Sequence, residues 1–242
     1  MSQSKGQTQQ RSIRALFTRI APHYDFVNHL ISLGQDQRLR TQALHLAQVP
    51  GDGWLLDVGT GTGDVALQAQ ALYPGRHVVG LDPTAAMLEE AQQKDGGRAV
   101  RWLQGDGLAL PYASDRFDAV ISAFLMRNVP DVAAAITEQA RVVRPGGRVV
   151  CLEMTWPRRF LMAQLVDLYF FRWVPLMGQL VTGDRAAYAY LPQSVKSFMR
   201  PDTLAGFMSA AGLTRVRWAR HMLGTVALYV GEKPGFRPAE DV

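Results

Sequence analysis

The chain has 242 residues, 48% of them apolar, enough for a sizeable core within the single-domain range of α/β folds. Its net charge of +5 comes from 26 Lys and Arg that form no run, so no nucleic-acid partner is expected. A single cysteine, Cys151, excludes an internal disulfide, and no Cys/His cluster suggests a metal site; a reducing, cytoplasmic setting fits.

Residues 1–10 are polar without an apolar period and are expected to form a disordered tail, as are 234–242. A single domain is expected over 11–233. From Arg11 to Val49 apolar residues recur at helical spacing (Ile13, Leu16, Phe17, Ile20, then Leu39, Ala43, Leu46, Ala47), interrupted at Pro22 and Gly34. That pattern predicts an N-terminal helical lid over 11–49. WLLDV (54–58) reads as a buried strand, followed by a glycine turn and a helix from Asp64 to about Leu72. HVVGLD (77–82), AVRWLQGD (99–106), DAVISAF (118–124) and RVVCLEM (148–154) read as further strands, with helices near 84–94 and 131–143 between them. Pro145-Gly146-Gly147 reads as the turn ahead of the fifth strand. Over 156–200 the chain becomes helical, aromatic and rich in methionine, which predicts a helical insertion over a substrate site. Its most apolar stretch, 160–181, contains Asp167, Arg172 and Pro175, too polar for an ordinary membrane span, yet suited to peripheral contact with a lipid surface. After a helix near 202–211, TRVRWARH and GTVALYVGEK alternate as two strands joined through Gly224. The predicted architecture is a Rossmann-like α/β fold of the class I methyltransferase kind: a seven-stranded, mostly parallel sheet closed by a C-terminal antiparallel hairpin.

The sharpest chemical feature is DVGTGTGD, Asp57 to Asp64, between a strand and a helix, where glycines let the backbone approach a ligand. Nucleotide, flavin and S-adenosylmethionine (SAM) sites all use such a turn, and so does an ordinary tight turn. GxGxG lacks the GxGxxG spacing that seats a pyrophosphate on a helix end, and Asp57 and Asp64 flank it with negative charge. A diphosphate would be repelled there, whereas the sulfonium and ammonium of SAM would be attracted. Asp82, ending the second strand, can accept from ribose hydroxyls, and Asp106-Gly107, after the third, sits where an adenine amine could be read. Acids at three successive strand ends favour SAM over a nicotinamide dinucleotide, since open α/β sheets bind ligands at the carboxyl ends of their strands. Binding alone does not imply turnover, so a non-catalytic SAM-binding protein and a methyltransferase acting on RNA or protein remain as competing readings.

Several segments also resemble a known family. YDFVN followed by SLG (24–34), DVGTGTGD, FLMRNV (124–129), RVVRPGGRVVCLEM (141–154), DRAAYAYLPQSV (184–195) and GTVALYVGEK (224–233) are similar to the menaquinone and ubiquinone biosynthesis C-methyltransferases, which methylate a carbon of a polyprenyl quinol ring. The likeness runs from about Arg14 to Lys233, and the first, third and fifth segments are its family-specific part. It implies SAM contacts at Thr62, Asp82, Asp106, Gly107 and Ala123, beside the turn residues Asp57, Gly59 and Gly61. It implies that Tyr24, Arg127 and Asn128 lie near the substrate. Demethylmenaquinol is the substrate it suggests first, with the benzoquinol of ubiquinone biosynthesis as the alternative; the oligomeric state is left open, a homodimer included. The chain departs from the family at Leu125, where glycine is usual, at Leu39, where an aromatic is usual, and at Gln193, where an acid is usual.

Carbon methylation needs alignment and an electron-rich ring carbon, which loss of a phenolic proton supplies. A guanidinium does not readily act as a base, so Arg127 is assigned stabilisation of the developing quinolate, with Asn128 orienting that oxygen or a water. The same dipeptide would also suit a loop capping the next helix. His29, Glu153 and Asp184 are the candidate bases, each equally at home as a surface, capping or packed residue. Tyr24 and His29 are five residues apart and fall on different faces of a helix. Met154, Trp156, Phe160, Met162, Phe170, Phe171, Trp173 and Met177 provide soft surface for an isoprenoid tail, with Arg158, Arg159 and Arg172 available to anionic headgroups.

Overall fold

A computed structural model describes residues 2–32, 34–94, 96–157, 160–176, 179 and 185–235. Seven strands form one sheet: β1 (Trp54–Val58), β2 (His77–Asp82), β3 (Arg101–Gln104), β4 (Phe117–Ala123), β5 (Val143–Met154), β6 (Thr214–His221) and β7 (Val226–Glu232), in the order β3-β2-β1-β4-β5-β7-β6. β1 to β5 run parallel, and β7 lies antiparallel between β5 and β6. The expected α/β fold with its closing hairpin is the one that forms. Parallel strands covered on both faces should be apolar almost throughout, and β4 is buried at every position from Phe117 to Ser122.

Two strands depart most from their expected limits, while β4 and β7 shift by one or two residues at their ends. β5 begins at Val143, because Pro145-Gly146-Gly147 is accommodated inside the strand, where the register against β4 shifts between Phe117 and Ala119. A Cβ at Gly147 would lie 2.5 Å from the Asp118 carbonyl oxygen, which requires glycine at that approach. β3 is shorter than 99–106, trimmed by a 3-10 turn at Gly97–Ala99 and by the Asp106–Ala109 bridge.

Helices α3 (Gln35–Ala47) and α4 (Asp64–Leu72) cover one face of the sheet over Leu55, Ile121 and Val150. α6 (Val132–Val142) and α9 (Pro201–Ala210) cover the other over Phe117, Val120 and Tyr229. At about 1.5–3 kcal/mol for each large apolar side chain fully buried, these layers fix where the strand ends lie. A third cluster, with Ile20, Val27, Met87, Val166 and Phe170, joins α1 (Ser2–Ile20) and α2 (Tyr24–Ser32) to α5 (Ala85–Gln93), α7 (Phe160–Leu168) and the π-helical turn Tyr169–Trp173. α1 starts at Ser2, so residues expected to form a tail are helical; they contain no proline and one glycine, too little to stop a helix established further on. α8 (Arg185–Ser197) precedes α9 in the chain, and residues 236–242 of the expected C-terminal tail lie outside the described residues.

Candidate active site

The carboxyl ends of β1, β2 and β3 bring Asp57, Asp82 and Asp106 around one region, as the strand-end argument expects. A cleft of about 90 Å³ there is lined by Gly59, Gly61, Asp82, Asp106, Gly107 and Ala123, with Arg14 and Phe17 from α1 and Tyr24 from α2. Gly59, Gly61 and Gly63 have φ of +70°, +55° and +83°, which any other residue would resist. Asp82 holds the turn in place: its carboxylate accepts from the Gly61 amide at 2.9 Å and the Thr84 amide at 2.8 Å. A Cβ at Gly59 would lie 2.6 Å from Leu125, whereas at Gly61 it would meet nothing within 4 Å, so Gly61 presents bare backbone to open space. Leu125 is part of the cleft wall, so the departure from the family's glycine narrows this cleft.

α1 and α2 close over the cleft. Arg14 donates to Asp106 at 3.1 Å, Thr62 donates to Asp25 at 2.5 Å, and Lys94 bridges Asp25 and Asp64. Arg40 is paired with Asp64 at 3.2 Å and with Asp36. The negative charge expected of Asp64 is therefore balanced by Arg40 and Lys94. Asp57 is 1% exposed; one oxygen accepts from Thr60 at 2.6 Å, while Oδ1 has no well-formed hydrogen bond, although the Ala66 amide helps hold its pKa down. A buried carboxylate oxygen without a firm donor, beside bare glycine backbone and two further acids, suits a cationic ligand with a ribose, so these residues fit SAM.

Burial drives the Asp57 carboxyl from 3.8 up to about 7, against the opposing pull of Thr60 and Arg40. An acid raised in the folded state contributes most stability below its unfolded pKa and loses it as pH rises through its folded one. The SAM-free protein should therefore lose on the order of a few kcal/mol between about pH 4 and pH 7 from this group. Asp57→Asn should flatten the fall in Tm between about pH 4 and pH 7, and an unchanged profile would contradict the assignment.

Beside the cleft lies a larger, mainly apolar cavity of about 590 Å³, walled by Ile31, Leu39, Met154, Met162, Val166 and Phe170, among others. Its polar lining includes Tyr24, Asn28, Ser32, Asp36, Arg40 and Arg127. The π-helical turn brings Tyr169 and Phe170 to this wall, with the Tyr169 hydroxyl donating to the Ile31 carbonyl at 2.7 Å. Phe124 lines the cavity, the cleft and a smaller pocket that shares residues with both, as does Tyr24. Its φ of +58° is unusual for a bulky residue, and strain of this kind collects at functional sites. The Arg127 and Arg40 guanidinium carbons stand 5.7 and 5.9 Å from the Phe124 ring centroid. Burial raises the Tyr24 phenol, and the nearby Arg127 and the Asn28 side chain pull the other way.

Arg127 is held by Glu153, which is 0% exposed and accepts both from Nη1 at 2.5 Å and from the Arg127 amide at 3.1 Å. Nη1 and the Asn128 side-chain Nδ2 also donate to the Phe124 carbonyl, and the Asn128 side-chain oxygen accepts from the Tyr190 hydroxyl at 3.0 Å. Asn128 faces the cleft and Arg127 the cavity. Thr62 lines the smaller pocket, with Asp57, Gly59 and Gly61.

Two of the candidate bases are not brought to either chamber. The His29 side chain is 60% exposed and points to Asp36 at 3.9 Å, and Glu153 sits behind Arg127 as its counter-charge. Asp184, Arg158, Arg159 and Met177 lie outside the described residues. Of the expected soft surface, Met154, Met162 and Phe170 line the cavity, whereas Phe171 and Trp173 are turned outward, 40% and 56% exposed. Arg40, Asp36 and Phe124 were missed by motif reading; the i,i+4 spacing of Asp36 and Arg40 on a predicted helix was the available signal.

The model of the ubiE/COQ5 methyltransferase family matches residues 3–233. A demethylmenaquinone methyltransferase of Thermus thermophilus is 42% identical over 221 residues, covering 90% of this chain and 100% of the relative. A ubiquinone/menaquinone biosynthesis C-methyltransferase UbiE of Desulfotalea psychrophila is 39% identical over 221 residues, 91% of this chain and 90% of the relative. Among solved structures, a SAM-dependent methyltransferase of Thermotoga maritima superposes with a TM-score of 0.65 at 18% identity, over 90% of this chain and 98% of that one, a likeness of fold.

Proposed function

The chain belongs to the ubiE/COQ5 methyltransferase family, and from that premise we propose that it C-methylates the ring of a polyprenylated quinol, converting demethylmenaquinol to menaquinol. It is a SAM-dependent methyltransferase. The observation that carries the substrate reading is the adjacency of an acid-lined cofactor cleft and a cavity of about 590 Å³ that is mainly apolar and shares Tyr24 and Phe124 with it. The name of the Desulfotalea psychrophila relative includes ubiquinone biosynthesis as well, but nothing in the cavity favours a benzoquinol over a naphthoquinol.

In this reading Gly59, Gly61, Thr62 and Ala123 hold SAM against the β1 and β4 ends, Asp57 meets its ammonium, Asp82 the ribose, and Asp106 with Gly107 the adenine. Bound SAM supplies an electrophilic methyl group. Arg127, fixed by Glu153, stabilises negative charge on the quinol oxygen next to the reacting carbon, Asn128 orients that oxygen, and Tyr24 keeps water from the junction. In balance, a ring C–H becomes C–CH3 and one proton leaves to solvent. The segments 11–49 and 156–200 act as lid and substrate insertion of one domain. The test is incubation with SAM and a short-tailed demethylmenaquinol under anaerobic reducing conditions; mass spectrometry should show one added methyl, and its absence would refute the substrate.

No helix among the described residues is long and apolar enough to cross a membrane. Leu165, Leu168, Phe171, Trp173 and Leu176 are each at least 40% exposed along α7 and the residues after it, beside the quinol cavity. This face rests on the cytoplasmic surface of the membrane and takes the substrate's tail from it. Leu165→Asp with Trp173→Ser should reduce co-sedimentation with anionic vesicles several-fold, and equal sedimentation of variant and parent would remove the claim.

A further inference from the structure

A quinol and its quinone have nearly the same shape and differ in what their oxygens offer: a quinol hydroxyl donates and accepts hydrogen bonds, while a quinone carbonyl only accepts. A carboxylate, which only accepts, therefore tells the two apart. Among the described residues lining the large cavity, the only carboxylate is Asp36. We propose that Asp36 receives the quinol hydroxyl remote from Arg127, and so makes the site selective for the reduced ring over the oxidised one; this rests on the quinol reading above.

Asp36 is 7% exposed, in the first turn of α3. Its Oδ1 accepts from the Ser32 hydroxyl at 2.7 Å and its Oδ2 from Arg40. Burial pushes its carboxyl up, but Ser32 and Arg40 together outweigh that and hold it below the ordinary carboxylate range, so it stays an acceptor at neutral pH. Two carboxylate oxygens offer about four acceptor positions; Ser32, Arg40 and the Gln37 backbone amide take three, with His29 further off at 3.9 Å, which leaves one for a further donor. Arg40, which also lines the cavity, is balanced by Asp36 and Asp64 together. The cavity thus offers Arg127 toward the oxygen that becomes anionic and Asp36 toward one that keeps its proton. A hydroxyl-to-carboxylate bond is charge-assisted, whereas a quinone carbonyl would face the carboxylate with lone pairs on both sides.

The experiment compares equilibrium binding of a short-tailed demethylmenaquinol, under anaerobic reduction, with that of its quinone, both with S-adenosylhomocysteine in the cofactor site. The parent protein should prefer the quinol, and Asp36→Asn, which can donate as well as accept, should lower that preference by about ten- to a hundred-fold. Ser32→Ala, which keeps the carboxylate, should retain it. Asp36→Ser provides the same measurement should the asparagine variant not fold. A purely structural role for Asp36 would weaken both ligands alike, and an unchanged ratio overturns the proposal. If the parent protein adds no methyl to the quinol under turnover, the substrate assignment itself fails and the inference with it; product formation with an unchanged ratio overturns the inference alone.

Discussion

Replacing Arg127 by alanine is expected to lower kcat/KM for the quinol about a thousandfold, the scale seen when a donor aimed at developing negative charge is removed. The same change leaves Glu153 at 0% exposure without its counter-charge, which costs about 3–5 kcal/mol of folding stability. The two effects are separable. Arg127→Ala combined with Glu153→Gln removes the stranded charge and should restore most of the lost Tm while leaving kcat/KM depressed. If the double variant recovers activity along with stability, Arg127 is a structural partner of Glu153 and nothing more. Arg127→Lys should give an intermediate rate, because an ammonium keeps the charge but loses the other N–H groups of the planar guanidinium, whose Nη1 alone holds both Glu153 and the Phe124 carbonyl.

Asp82→Ala should weaken SAM binding about a hundredfold or more, measured by calorimetry. Its carboxylate satisfies the Gly61 and Thr84 amides, and each buried donor left without a partner costs about 1–3 kcal/mol. In the unliganded protein that loss loosens the glycine turn; in the complex the ribose loses its acceptor as well. Asp82→Asn keeps one acceptor oxygen and should fall between. Quinol binding in the neighbouring cavity should be little affected, since Asp82 does not line it. An Asp82→Ala protein with unaltered SAM affinity would remove the ribose assignment.

Much of this was legible in the residues. β1, β2 and α4 form over the spans that apolar periodicity and the glycine turn mark, because a fully buried parallel strand leaves an unbroken apolar run bounded by polar residues. The acids at the strand ends converge for the same topological reason. What pattern could not reach were pairings across long separations. Nothing local to RN at 127–128 announces that Glu153, on another strand, neutralises the arginine, or that Tyr190 fixes Asn128. Asp36 and Arg40 have the spacing of any helical ion pair, and only the placement of α3 against β4 and β5 turns them toward a cavity. The Pro-Gly-Gly stretch misled because a bulge inside a strand and a turn before it call for the same residues.

The place of β7 in the sheet bears on the order in which the protein can be completed during synthesis. β5 pairs with β4 on one side, but its other neighbour is β7, with Met154 opposite Val226 and Arg148 opposite Glu232. Until the ribosome has released residues beyond 232, β5 keeps an open edge of unpaired amides and carbonyls, a template for any other extended chain nearby. Glu153, which anchors Arg127, pairs across that seam with Ala227. The nascent chain can thus assemble its cofactor turn early, whereas its methyl-accepting chamber waits for the last strand of the sheet to dock.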